Sequence, residues 1–391
     1  MSWRVVTADD NTDLILNRVL LREHPGRPMR LDISGGRIRS IHPADHLDSV
    51  HSVDLRGAWV IPGLINAHDH LEFNSFPRFK TRLYRDYFDW GRDIHRGFPD
   101  EIKRVLSLSV ADRQKIGILK NILNGVTTVV DHGKEALSSR DAPLEVFRGY
   151  DYLHALGTEK YWRWKLLNPS RKPVMIHLGE GLSETMGWEA RRLLRWNLWS
   201  RRVIAVHLLT AEEASVKKLH GLIWCPDSNI FLYGQTTEVA RWKTVLPVMF
   251  GTDSCLSASA DLWEQLRLAR SLGPLDEGEL LDAVTATPAS VLGLEGGSVS
   301  VGGRADLLAL KAPSGSLLDS GPEDILLLIK DGRIVLCDDS LRFLISSADE
   351  SFDALQVRGA VKHVRGRWRE LLREARTRRT FVPFDVTCVD Y

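Results

Sequence analysis

Five compact apolar runs, each closing on a polar residue, constrain this chain more than any other feature of its sequence. They cover residues 127–130, 174–177, 203–207, 222–225 and 248–251, with helix-like segments at 111–124, 188–199 and 262–272 between them. Short runs without a polar face suit strands buried on both sides, and such strands joined by helices form parallel sheets. The simplest closed arrangement is an α/β fold of the (β/α)8 type, a TIM barrel.

The two ends of the chain read differently. Residues 29–33 and 37–41 alternate in polarity around Ser34, Gly35 and Gly36, which predicts a hairpin. Strand patterning returns after residue 297, at 298–301 and 306–310, and a second hairpin joins 325–330 to 333–337 across Asp331 and Gly332. Strands at both ends predict a small β-sandwich built from both termini. Its parts are residues 1–61 and 298–391, flanking a barrel of residues 62–297, with a helical tail over 365–379. The basic residues of that tail read as the solvated face of a helix.

Between residues 131 and 174 the barrel pattern runs short. One strand, at 146–156, and a Trp-rich stretch at 161–164 stand where two strand–helix units would be needed. One βαβ unit alone takes about 30 residues. The barrel is therefore expected to be abbreviated or distorted here, leaving an edge for a second copy of the chain to cover as a homodimer.

Composition narrows the setting. The 52 Lys and Arg residues almost cancel the 51 Asp and Glu, so no global field selects nucleic acid or an anionic membrane as a partner. Four scattered cysteines without a CxxC pair argue against a disulfide framework and a cysteine zinc site. No secretory signal and no membrane-spanning run is visible, which makes the cytoplasm the expected location.

The reactive residues cluster at strand ends. His68 and His70 stand two apart after an apolar run, and in a strand that spacing aims two imidazoles at one ion. His177, His207 and Asp253 each end an apolar run, and Glu180 lies three residues beyond His177. Taken singly, each is as compatible with a hydrogen-bonded core or a helix cap as with a metal. Together they fall on the one rim where barrel enzymes place their active sites.

At this point the chain resembles the amidohydrolase superfamily, in its cytosine/guanine deaminase and chlorohydrolase branch. The likeness rests on an ordered set of segments: PGLINAHDH at 62–70, HLGE at 177–180, VHLLT at 206–210, CPDSN at 225–229 and GTDS at 251–254. VTATPA at 284–289 and GGRADL at 302–307 resemble the exit into the family's β-sandwich. The resemblance implies one divalent metal ion, zinc or alternatively ferrous iron, held by His68, His70, His177 and Asp253. It also implies that Asp253 is the general base, Glu180 the proton donor, and His207 an unligated neighbour of the reacting water. Ser228, Asn229, Trp224 and His132 are the expected substrate-binding positions.

Two-metal members of the superfamily carry a carboxylated lysine on the fourth strand. Lys134, Lys160, Lys165 and Lys172 lie in that region, but none ends an apolar run, so one ion is expected. Trp224 stands where the branch often has histidine, and Gly181 where it often has threonine. The aromatic stretch 73–98 reads either as a lid over a heterocyclic substrate or as packing onto the barrel. The leading reading is a metal-dependent hydrolase that attacks a C–N bond, deaminating a small aminated heterocycle or aryl amine. The alternatives are hydrolysis of an amide or cyclic amide, as in imidazolone ring opening, and a non-catalytic scaffold.

Overall fold

The computed structural model describes residues 14–44, 52–133, 142–345 and 351–389. Parallel strands Leu64–Asp69, Val126–Asp131 and Glu145–Phe147 pair in that order. Strands Asp151–Ala155, Val174–Leu178, Val203–His207, Gly221–Trp224 and Val248–Phe250 form a second parallel run. Residues 148–150 alone separate Glu145–Phe147 from Asp151–Ala155. A parallel crossover needs a dozen residues or more, so the two segments are one bent strand that leaves Val126–Asp131 and takes up Val174–Leu178. On the other side, the Asp253 N–H donates to the His68 carbonyl at 3.1 Å and closes the ring. The barrel is therefore abbreviated where the sequence ran short, by the loss of one crossover helix.

Side chains alternate across the wall. Met175, Ile204, Val206, Ile223 and Met249 fill the interior, while Val174, Ile176, Ala205, Leu222 and Phe250 face the surrounding helices. Helix Val110–Leu123 starts at Ser109, whose hydroxyl accepts the Asp112 N–H, and covers the first two strands. The helix expected over 188–199 is shorter, with Glu184–Gly187 and Glu189–Leu194 as separate turns and an irregular path to residue 202.

Among the described residues the terminal segments make one mixed sheet of eleven strands. Both expected hairpins are present, as His24–Ser34 with Arg37–Pro43 and Ile325–Lys330 with Arg333–Asp338. The sheet folds over so that Leu31, Ile33 and Ile38 share a core with Leu307, Leu327 and Ile329. The run at 298–301 is not a strand: positive φ angles at Gly296, Gly297 and Gly302 keep that stretch in turns. The basic tail contains helix Arg369–Thr377, which buries Leu371, Leu372 and Ala375 and turns its charges outward. Cys225, Cys255 and Cys337 are buried as free thiols.

Candidate metal centre

The first strand is irregular where its histidines lie. Its register against Val126–Asp131 shifts between Asn66 and Asp69. Such a bulge turns Ala67 and His68 both inward. Asp69 then faces outward, and His70 returns to the cavity. The outward carboxylate is fully buried, accepting from Lys120, Asn121 and Asn74 at 3.2, 2.7 and 2.9 Å. Gly251 is required beside this bulge, since a Cβ there would lie 2.6 Å from the His68 Cβ.

His177 projects inward from its strand, with its Nε2 3.2 Å from the His68 Nε2. Its Nδ1–H donates to the His154 carbonyl at 2.8 Å, which leaves the lone pair on Nε2. His207 ends its strand with φ +71°, a left-handed turn that swings the ring over the barrel mouth. Its Nδ1–H donates to the Asn229 amide oxygen at 2.9 Å, so its Nε2 also presents a lone pair, 3.8 Å from Glu180 Oε1. Asp253 sits at φ +55° with Oδ1 3.8 Å from His70 Nε2. Burial alone would raise its carboxyl, but His207, His70, the Ser254 N–H and the Ser257 hydroxyl hold it below the ordinary carboxylate range.

Glu180 is buried on the loop after His177, and burial pushes its carboxyl up despite the nearby His207. The Tyr233 hydroxyl donates to its Oε1 at 3.0 Å. The loop is fixed from beneath by Glu189, whose Oε2 accepts the Gly179 N–H at 3.0 Å. Gly179 has φ +60°, and a Cβ there would collide with the Thr210 carbonyl. The aromatic segment 73–98 crosses this side of the mouth. Phe76, Phe79 and Tyr84 are buried, and the Tyr84 N–H donates to Leu232 at 2.9 Å. Arg85 and Asp86 contact the Glu180 loop at Leu182 and Gly181. The rings pack the segment down, and it covers the mouth as well.

The opposite wall carries two further imidazoles. His132 is buried with its ring 5.1 Å from His68 and 4.7 Å from His177, and its Nε2 meets the Leu153 carbonyl at 3.1 Å. His154, on the bent strand, lies 4.9 Å from His177. No motif marks His154, Tyr233 or Lys120, and Asp69, although inside the 62–70 motif, has no role assigned from sequence. Three of the expected substrate-binding side chains have partners within the protein. Trp224 points outward, because Ile223 and Cys225 take the inward places, and its indole N–H donates to Thr236 at 2.7 Å. The Ser228 hydroxyl turns back to the Cys225 carbonyl within its own helix, at 3.4 Å. The amide oxygen of Asn229 is taken by His207. Lys160, Lys165 and Lys172 are exposed, as expected, and Lys134 lies outside the described residues.

The donor set suits a cation. Burial first, then the neighbouring imidazoles, hold His68 and His177 well below the ordinary histidine range and therefore neutral. Two neutral ring nitrogens at 3.2 Å need a proton or a cation between them, and His68 Nδ1 has no hydrogen-bond partner among the described residues. Ligand atoms of His68, His70 and Asp253 lie within 4.8 Å of one another, as do those of His68, His177 and His207. Three imidazoles and a carboxylate at this spacing match the ligand chemistry of zinc or ferrous iron. Distance alone leaves His207 as near as the other imidazoles.

Residues 172–363, which span His177, Glu180, His207 and Asp253, match the amidohydrolase family. The chain belongs to the amidohydrolase superfamily. As an amidohydrolase it is a metal-dependent hydrolase of C–N bonds. It is 25% identical to the 5-methylthioadenosine/S-adenosylhomocysteine deaminase of Pyrococcus furiosus over an alignment covering 78% of this chain and 88% of that one. A shorter match, 29% identical over 120 residues, joins it to the aminodeoxyfutalosine deaminase of a Nitratiruptor species, covering 28% of this chain and 29% of that one. Among solved structures, a zinc-bound adenosine deaminase from Xanthomonas campestris superposes with TM-score 0.68 at 19% identity, covering 94% of this chain and 98% of that one. Guanine deaminase from C. acetobutylicum gives 0.59 at 15% identity, covering 83% and 100%. These last two likenesses support the fold of this amidohydrolase: a TIM barrel with a separate β-rich domain.

Proposed function

We propose that this amidohydrolase deaminates a small aminated heterocycle, using one divalent ion held by His68, His70, His177 and Asp253. The observation that carries the reading is the convergence of these four buried donors with Glu180 and His207 at one end of the barrel. The names of the curated relatives, deaminases acting on purine-bearing compounds, favour an adenine-type ring as substrate. Zinc is the proposed ion, with ferrous iron the alternative. The same reading divides the chain into 1–61 and 298–391 for the β-sandwich and 62–297 for the barrel, in a cytoplasmic protein.

An ion in this position lowers the pKa of a water toward neutrality. The chain's own residues then do the proton work. The low-lying Asp253 carboxylate accepts the water's proton as the oxygen adds to the ring carbon. Glu180, whose carboxyl is raised by burial, delivers a proton to the departing amino nitrogen. His207, oriented by Asn229, supports the charge that develops on the oxygen. The C–N bond breaks, ammonia leaves, and the ring keeps a carbonyl oxygen.

The test is ammonia release by protein loaded separately with zinc, ferrous iron or manganese. The panel comprises adenosine, a 5′-thioether adenosine, guanine, cytosine and a pterin. Turnover of one of them is the expected result. Hydrolysis of lactams without ammonia release would transfer the site to cyclic-amide chemistry, and metal-loaded protein inert toward every amine and lactam would favour a scaffold.

A further inference from the structure

We propose that the face formed by residues 158–202 docks this protein on an anionic lipid surface. The near-cancelling charge of the whole chain excludes a global field but not a local one. Over these residues exposed cations outnumber exposed acids eight to one, Glu184 being the single exposed acid. Lys165 meets Glu159 and Arg191 meets Glu212, while Arg171, Lys172, Arg195 and Arg202 face solvent.

Large apolar side chains stand out of the same face. Trp164 is 73% exposed, Leu198 70% and Trp199 62%, with Tyr161 more than half exposed. They are held rigidly. The Trp199 indole N–H donates to the Leu167 carbonyl at 2.8 Å, tying the loop after helix Glu189–Leu194 to helix Trp162–Leu167. Arg163 lies over the rings of Trp162 and Trp196 at 4.7 and 5.0 Å. The buried Arg201 clamps both segments, bonding the carbonyls of Lys165, Asn168 and Lys172 and the Asp151 carboxylate.

Indoles and an aliphatic side chain ringed by arginine and lysine have the composition of an interfacial anchor. A second copy of the chain is a poorer occupant, because two-fold pairing would set this cationic face against itself. Single-stranded nucleic acid would use the rings and charges but leave Leu198 without a role. Contact with phospholipid headgroups satisfies all three, and the face is independent of the reading of the metal centre.

The experiment is sedimentation of the full chain with phosphatidylcholine vesicles, with and without about 30 mol% phosphatidylglycerol. Expected is roughly tenfold or stronger partitioning onto the anionic vesicles, lost in about 0.5 M salt. Trp164→Ser with Leu198→Ser, and separately Arg195→Glu with Arg202→Glu, should each abolish it while leaving thermal stability unchanged. Equal partitioning on both vesicle types, or none, would overturn the proposal. So would a dimer in sedimentation velocity that the first of these variants dissolves, or tighter binding to a single-stranded oligonucleotide than to vesicles.

Discussion

The Lys120 ammonium lies 3.2 Å from Asp69 Oδ2, and both side chains are sealed from solvent. The same nitrogen reaches Asn74 Oδ1, Thr252 Oγ1 and the Asp253 carbonyl at 3.0, 3.0 and 3.1 Å. One cation on the covering helix thus ties Asp69, between His68 and His70, to the backbone of Asp253, just past the last barrel strand. Lys120→Met strands a buried carboxylate and should cost about 3–5 kcal/mol of stability. Chemical denaturation measures that loss. Metal content after dialysis against chelator should fall in the same variant, and retention at the wild-type level would show that the pair serves stability alone.

Metal content also separates ligand from neighbour. His177→Gln should purify with little metal. His207→Gln should keep close to one ion per chain and lose roughly 10²–10³-fold in kcat. Equal metal loss in both variants would make His207 a ligand.

Tyr233 is predicted to hold the proton donor in place. Tyr233→Phe removes the bond to Glu180 Oε1 and leaves every proposed metal ligand intact. The expected outcome is a fall in kcat of about tenfold, the size of one hydrogen bond to a charged group, with metal stoichiometry unchanged. Steady-state kinetics on the first substrate identified would check it, and a kcat equal to wild type would dismiss the role.

Stability should fall as pH rises through the range in which Glu189 ionises. Burial pushes its carboxyl from the ordinary 4.5 up to about 7. Between those values the folded form binds more protons than the unfolded one, so raising pH favours unfolding. Below 4.5 the contribution vanishes, and above 7 the full penalty, on the order of 3 kcal/mol, applies. Glu189→Gln should flatten this slope between pH 5 and 8, as read from denaturation midpoints. A slope identical to wild type would assign the pH dependence elsewhere.

Much of this architecture can be read in the sequence because buried parallel strands carry no polar face. His177 and His207 were visible as polar ends to such runs, and their convergence follows from the barrel. The supporting residues were not visible. Lys120 sits in a helix among other charged residues, and only the folded helix shows that its nitrogen points at Asp69. Strict alternation with Ile223 and Cys225 sends Trp224 outward, which the family position alone does not show. The strand read at 146–156 exists but bends at 148–150, where the Arg148 guanidinium pairs with Asp131 and the Tyr150 hydroxyl donates to the Asp131 carbonyl at 2.6 Å. Nothing in a one-dimensional pattern announces a strand that changes partners.

That change of partners has a cost in independence. In a full barrel, adjacent wall positions ride on separate strands, and a helix between them lets each vary alone. Here the stretch paired with Val126–Asp131 and the stretch bearing His154 share one continuous backbone. A substitution at 148–150 would therefore move both flanks of the cavity together, and the floor opposite His207 would be reshaped as a unit.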